Sequence, residues 1–155
     1  MPALTLDTNL LVLLVVGRAS PSLIEAHGRL GGYSKADFDL LNDYLAGASQ
    51  IVVTPHTLTE ASNLSRQIRN PARDRISAAL KALVGGTEER SVPSRTAVTA
   101  PDFIRLGLTD CALMQVTDNT ETLLTVDLDL YLAALRRGHR AVNFNHSRVA
   151  AGLLP

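Results

Sequence analysis

Hydrophobic positions along the chain fall into short runs and longer stripes that alternate from one end to the other. Ala3–Leu6 is a brief apolar run that predicts a buried strand, ending at Asp7-Thr8-Asn9. Leu10–Val16 stays apolar with no polar face, so periodicity leaves helix and strand both open until Gly17–Pro21 breaks the run. Ser22–Leu30 predicts a short helix closed by Gly31-Gly32. Ser34–Leu45 predicts a longer one, capped by Ser34, with Phe38, Leu41 and Leu45 on one face. Ile51-Val52-Val53 predicts a second buried strand. Pro55 suits the first turn of a helix running through Glu60, Leu64 and Ile68 to the region of Asn70, and Ala72–Val84 predicts the next, ended by Gly85-Gly86.

The second half continues the alternation. Thr87–Pro101 is polar and holds two prolines, which predicts an irregular connection with a short strand near Ser91-Val92. Asp102–Leu106 is ambiguous. Thr109 suits the cap of a helix over Asp110–Val116, and Leu123–Val126 predicts a strand. Asp127 suits the cap of a helix over Leu128–Arg137, with Arg136 and Arg137 at its negative end and Gly138 beyond. Ala141–Phe144 predicts the last strand. This order is that of an α/β fold, a mostly parallel central sheet flanked by helices, in a single domain over residues 1–155.

Composition sharpens that picture in three places. Aromatic residues are 4% of the chain against 46% hydrophobic overall, so Leu, Val, Ile and Ala must fill the core. Fifteen basic residues balance fifteen acidic ones, which argues against a simple basic nucleic-acid binder but leaves room for an enzyme that grips phosphate through a bound cation. Cys111 is the only cysteine, so a disulfide framework and a cysteine-based zinc site are excluded within one chain, and Cys111 itself is expected in the core. The longest apolar run is too short to span a bilayer and no basic segment precedes it. The expectation is a cytoplasmic protein with no membrane partner.

Four acids fall at or near the carboxyl ends of predicted strands, where open parallel sheets bind ligands. Asp7 follows the first strand, and Asp127 follows Leu123–Val126. Glu60 lies early in the helix after Ile51–Val53, and Asp110 opens the helix that leads to Leu123–Val126. Carboxylates that converge in this way need a cation or protons. Oxygen ligands alone favour Mg²⁺ or Mn²⁺, and such a site suits phosphodiester hydrolysis.

The residues around these acids resemble a known family. Leu4-Thr5-Leu6-Asp7-Thr8-Asn9-Leu10-Leu11 is similar to the opening of a PIN domain, and Thr54-Pro55-His56-Thr57-Leu58-Thr59-Glu60 to its second motif. Leu108-Thr109-Asp110-Cys111-Ala112 and Leu124-Thr125-Val126-Asp127-Leu128-Asp129-Leu130 resemble the third and fourth, in the family's order and across nearly the whole chain. The resemblance implies a metal-dependent endoribonuclease with RNA as substrate and Mg²⁺ or Mn²⁺ as cofactor. Asp7, Glu60, Asp110 and Asp127 would be its catalytic, metal-binding acids, with Asp129 as a further candidate. Thr8 and Asn9 would arrange the site. It also implies a homodimer and, for the toxin-like bacterial members, a protein antitoxin. The stretch between Asp7 and Glu60 is longer than in those compact members, and the extra length falls around Ser22–Tyr33.

Each acid also has a structural role open to it. Asp7-Thr8-Asn9 suits a turn, Asp127 a helix cap, and Asp110 and Asp129 a first helical turn. Thr57-x-x-Glu60 reads as a capping box; if Thr54 is the cap instead, Glu60 lies in the second turn with Asn63 one turn further on the same face, near the site. His27 is expected on a solvated face beside Glu25 and Arg29, and His56 in a local hydrogen bond. Arg66, Arg69, Arg73 and Arg75 form a basic stretch in which Arg66 and Arg69 are candidate RNA contacts, the competing reading being a solvated face paired with Asp74. A small-molecule phosphohydrolase with Asp7 as nucleophile and a non-catalytic interaction domain remain alternatives. The phosphohydrolase reading lacks a well-placed lysine, Lys35 and Lys81 being the only two.

Overall fold

The computed structural model describes residues 2–155, and its centre is a five-stranded sheet in which every strand pair is parallel. The strands are β1 (Leu4–Leu6), β2 (Ile51–Val53), β3 (Glu88–Glu89), β4 (Thr122–Thr125) and β5 (Arg140–Asn143), in the spatial order β3-β2-β1-β4-β5. Ten helices connect them: α1 (Thr8–Ala19), α2 (Leu23–Ala26), α3 (Lys35–Ala46), α4 (Pro55–Ser65), α5 (Ala72–Gly85), α6 (Ser94–Ala97), α7 (Phe103–Leu106), α8 (Leu108–Val116), α9 (Leu128–Arg136) and α10 (Phe144–Ala150). The α/β class with helices flanking the sheet is as the hydrophobic pattern predicts. No helix among the described residues is long and apolar enough to cross a membrane.

The ambiguous run Leu10–Val16 is helical, and the reason it lacked a polar face is its position. Residues Leu10 to Gly17 are all buried, because α1 packs against α2, α3, α4 and α5 at once. Gly17 is part of that packing: a Cβ there would stand 2.3 Å from Phe38 Cδ1, so the phenyl ring of α3 occupies the volume that a side chain would need. Ser34 caps α3 as expected, in a reciprocal box with Asp37.

Several expectations are corrected. Ser22–Leu30 is not one helix; α2 stops at Ala26 and a 3₁₀ turn over Gly28–Leu30 follows, held by the His27 side chain accepting from Arg29 N–H. The helix after Pro55 ends at Ser65 rather than near Asn70. The strand placed near Ser91-Val92 lies at Glu88–Glu89, and the connection beyond it contains α6. Helix α8 begins at Leu108 with Gly107 (φ 83°) before it, so Thr109 is inside the helix rather than its cap. Helix α10 was not foreseen. Asn143 caps it, and it is anchored by the buried pair Arg148–Asp37, 2.7 Å apart, to α3.

Candidate functional site

The strand order reverses between β1 and β4, which places the crevice at their carboxyl ends. Both strands stop at an acid or just before one, and both acids cap the helix that follows. Asp7 caps α1, with Oδ1 accepting from Leu10 N–H at 3.0 Å; Asp127 caps α9, with Oδ1 accepting from Leu130 N–H at 3.0 Å. Capping and site placement are therefore not competing readings, since a single carboxylate does both.

Asp7, Glu60, Asp110 and Asp127 line one cleft of about 400 Å³ together with Thr8, Asn9, Asn63 and Leu64. Thr54 caps α4, with Pro55 in the first turn and Thr57 closing the box, so Glu60 is released from capping and lies in the second turn. Asn63 follows on the same face. Asp129 is exposed in the first turn of α9 and does not line the cleft, and neither do Arg66 and Arg69.

Asp7 is 4% exposed and is held by three donors: Leu10 N–H, Val126 N–H at 2.9 Å to Oδ2, and the Thr125 hydroxyl, also to Oδ2. Burial nonetheless keeps its carboxyl above the usual range against these stabilising bonds, with a further contribution from the Asp127 charge. Asp110 is pushed up to about 7, first by burial and then by the charges of Asp127, Asp7 and Glu60. Three acids from separate parts of the chain thus act electrostatically on a fourth, as their shared cleft requires.

Thr125 is the residue that sequence reasoning missed. Its hydroxyl donates to Asp7 while accepting from Asp127 N–H at 2.9 Å, so it links the two strand-end acids. The only sequence signal was a hydroxyl two residues before Asp127. Thr8 donates to Glu60 Oε2 at 3.1 Å. His56 bonds not to a local partner but across 38 residues of chain, Nε2 to Ser94 Oγ at 3.3 Å. His27, by contrast, is buried rather than solvated, and Cys111 is a core residue.

Among the described residues, no three carboxylates, imidazoles or thiols stand close enough to share one metal ion. The chemistry of the donor set still fits a hard cation. The acids are all oxygen ligands around one cleft; among the described residues nothing donates to Asp110, to Glu60 Oε1 or to Asp127 Oδ2. No family model matches the chain, and a search of curated proteins finds no match to it.

Proposed function

We propose that the protein is a metal-dependent endoribonuclease that hydrolyses RNA phosphodiester bonds in the carboxylate cleft. The observation that carries this reading is the meeting of Asp7, Glu60, Asp110 and Asp127, brought in by four different helices and helix caps, around one cleft. Such a constellation has a steep appetite for positive charge. Asp7, Glu60, Asp110 and Asp127 would hold Mg²⁺ or Mn²⁺ by drawing closer together around it than they stand in this structure. When bound, the ion would supply charge to neutralise the phosphate in the transition state and acidify water.

The chain's own part is to hold and orient. Leu10 N–H, Val126 N–H and the Thr125 hydroxyl fix Asp7, and Thr8 steadies Glu60. Asn9 and Asn63 bring uncharged amides to the rim, able to hydrogen-bond ribose and phosphate oxygens without adding repulsion. A nucleophilic role for Asp7 is less well supported. No lysine lines the cleft, and Lys35 and Lys81 are exposed, with Lys35 paired to Asp39. Toxin use with an antitoxin as inhibitor, and a homodimeric state, follow from the resemblance alone.

The test is cleavage of a mixed RNA panel by wild type and Asp127→Asn, in EDTA and after adding back Mn²⁺ or Mg²⁺. Asparagine keeps the α9 cap, so folding is preserved. Metal-restored cleavage by wild type alone supports the reading. Absence of both cleavage and calorimetric Mn²⁺ binding removes it, and turnover of small phosphate esters with an acyl-phosphate at Asp7 replaces it with the phosphohydrolase.

A further inference from the structure

The segment Ser22–Tyr33 lengthens the chain between two site acids, and the carboxylate cleft makes no use of it. Its docking gives it a place. His27 is 2% exposed, with Nδ1 accepting from Arg29 N–H at 3.1 Å, so Nε2 carries the proton and donates to Ser65 O at 2.9 Å. That bond fastens the 3₁₀ turn to the last residue of α4. Arg29 Nε then reaches Gln67 Oε1 at 2.6 Å, just beyond the same helix end.

Other arginines meet there. Arg66 is the residue that ends α4, and Arg69 follows it in the connection to α5. Arg73 Nε donates to Arg66 O and Ile68 O, and Arg75 Nη2 donates to Ala19 O at the end of α1, beside Arg18. Six arginines, Arg18, Arg29, Arg66, Arg69, Arg73 and Arg75, therefore gather around the ends of α1 and α4 and the start of α5, in a chain whose charges balance only when they are counted in. Among the described residues, none of the six has a carboxylate oxygen within 4.0 Å. The expected pairing of this stretch with Asp74 does not form.

Part of the corner has a structural explanation. The carbonyls at the end of α4 attract cations, and Arg73 serves them. Arg66 and Arg69 do not: both are exposed and their guanidinium groups donate no hydrogen bond to the described chain. Asn63 and Leu64, which line the cleft, lie less than one turn before Arg66, about 5 Å along the helix axis. The cations are arginines throughout, the side chain whose planar fork matches phosphate in two-point contacts.

We propose that this arginine corner binds the phosphate backbone of single-stranded RNA as it leaves the carboxylate cleft, and that the Ser22–Tyr33 segment completes the surface by supplying Arg29. The proposal deepens the nuclease reading and rests on it for the identity of the polyanion. The acidic cleft and the basic corner divide the work, since one repels phosphate until a cation is present and the other holds the strand without any metal.

The test is fluorescence anisotropy of a short labelled single-stranded RNA in EDTA, titrated from about 0.05 to 0.3 M NaCl. Arg29→Gln/Arg66→Gln/Arg69→Gln should bind about tenfold more weakly than wild type at the low-salt end. Its log–log salt slope should be shallower by about 2, at roughly 0.7 per lost phosphate contact on a single strand. Arg140→Gln, exposed at the opposite, amino edge of the sheet, should match wild type. Unchanged slope and affinity in the triple variant, or an equal loss in Arg140→Gln, overturns the proposal. So does polyglutamate that competes as well as RNA of equal charge, which would assign the corner to an acidic protein. Because binding is read without metal, RNA held by the corner but never cut removes the nuclease and keeps the surface. RNA cut normally by a triple variant with unchanged binding does the reverse.

Discussion

Thr8 Oγ1 donates to Glu60 Oε2 at 3.1 Å, joining the first turn of α1 to the second turn of α4 across 52 residues of chain. The bond orients an exposed arm of the cleft without using up its second oxygen. Thr8→Val should leave stability within about 1 kcal/mol, because one neutral donor at a partly exposed rim is lost. RNA cleavage should fall about tenfold in kcat, with RNA affinity in EDTA unchanged. Wild-type kcat in a folded variant would show that Glu60 needs no such support.

Asp110 has the opposite character, since its negative charge works against the metal-free fold. Asp110→Asn should abolish metal-stimulated cleavage yet raise the metal-free melting temperature by a few degrees, equivalent to about 1 kcal/mol. A melting temperature that drops instead would mean that Asp110 is stabilised by something other than protonation.

The same group sets a pH dependence. Its folded-state value of about 7 lies above the ordinary 3.8, so the native state binds the extra proton between those limits. Stability of the metal-free protein should therefore decline as pH rises from about 4 to 7, and Asp110→Asn should flatten that decline. Asp7, also raised, acts in the same direction. Glu121 opposes it: burial is the largest single influence and raises this carboxyl, but the Arg90 hydrogen bonds, the Asp118 N–H and the Arg90 charge together hold it low, so its contribution fades as pH falls. Melting curves in EDTA at pH 5, 6, 7 and 8 check the balance. Added Mn²⁺ should stabilise most at the alkaline end, where protons no longer compete.

Arg148 and Asp37 form a pair 6% and 2% exposed at their side chains. The guanidinium also donates to Gly32 O and Asn145 Oδ1 and lies 4.4 Å over the Tyr33 ring. Arg148→Met should cost about 3–5 kcal/mol by leaving Asp37 buried and unpaired, whereas Asp37→Leu/Arg148→Met should recover much of that loss. Urea denaturation of the two variants decides it; equal destabilisation would show that the pair stabilises beyond its mutual charge.

Gly17→Ala should destabilise by about 1–3 kcal/mol despite the better helix former, because the new methyl meets the Phe38 ring. Phe38→Leu should rescue it in part. An alanine variant as stable as wild type in urea would mean that the ring moves aside at no cost.

The parallel sheet and the four acids were legible because their signals are local. Short apolar runs ended at Asp7 and just before Asp127, and the Thr54-Pro55 cap placed Glu60 in the next turn. What escaped was set by contacts distant in sequence. Helix α10 depends on Arg148 finding Asp37, 111 residues away, and His27 turns inward only because Ser65 O is there to receive it. Thr125 looked like an ordinary strand residue until β1 and β4 lay side by side in register, Leu6 opposite Leu124. Asp129 shows the converse: a tempting acid next to a motif, carried outward by its place on α9.

The central position of β1 has a consequence for how the molecule is made. Because synthesis runs from the amino end, β1 waits for β2, beginning at Ile51, to cover one edge and for β4, beginning at Thr122, to cover the other. Until Thr125 and Val126 have been synthesised, Asp7 lacks two of its three donors, and until Asp127 follows, the cleft lacks a wall. Asp7, Glu60 and Asp110 are therefore all made before the cleft can close around them, and it closes only once Asp127 has been added.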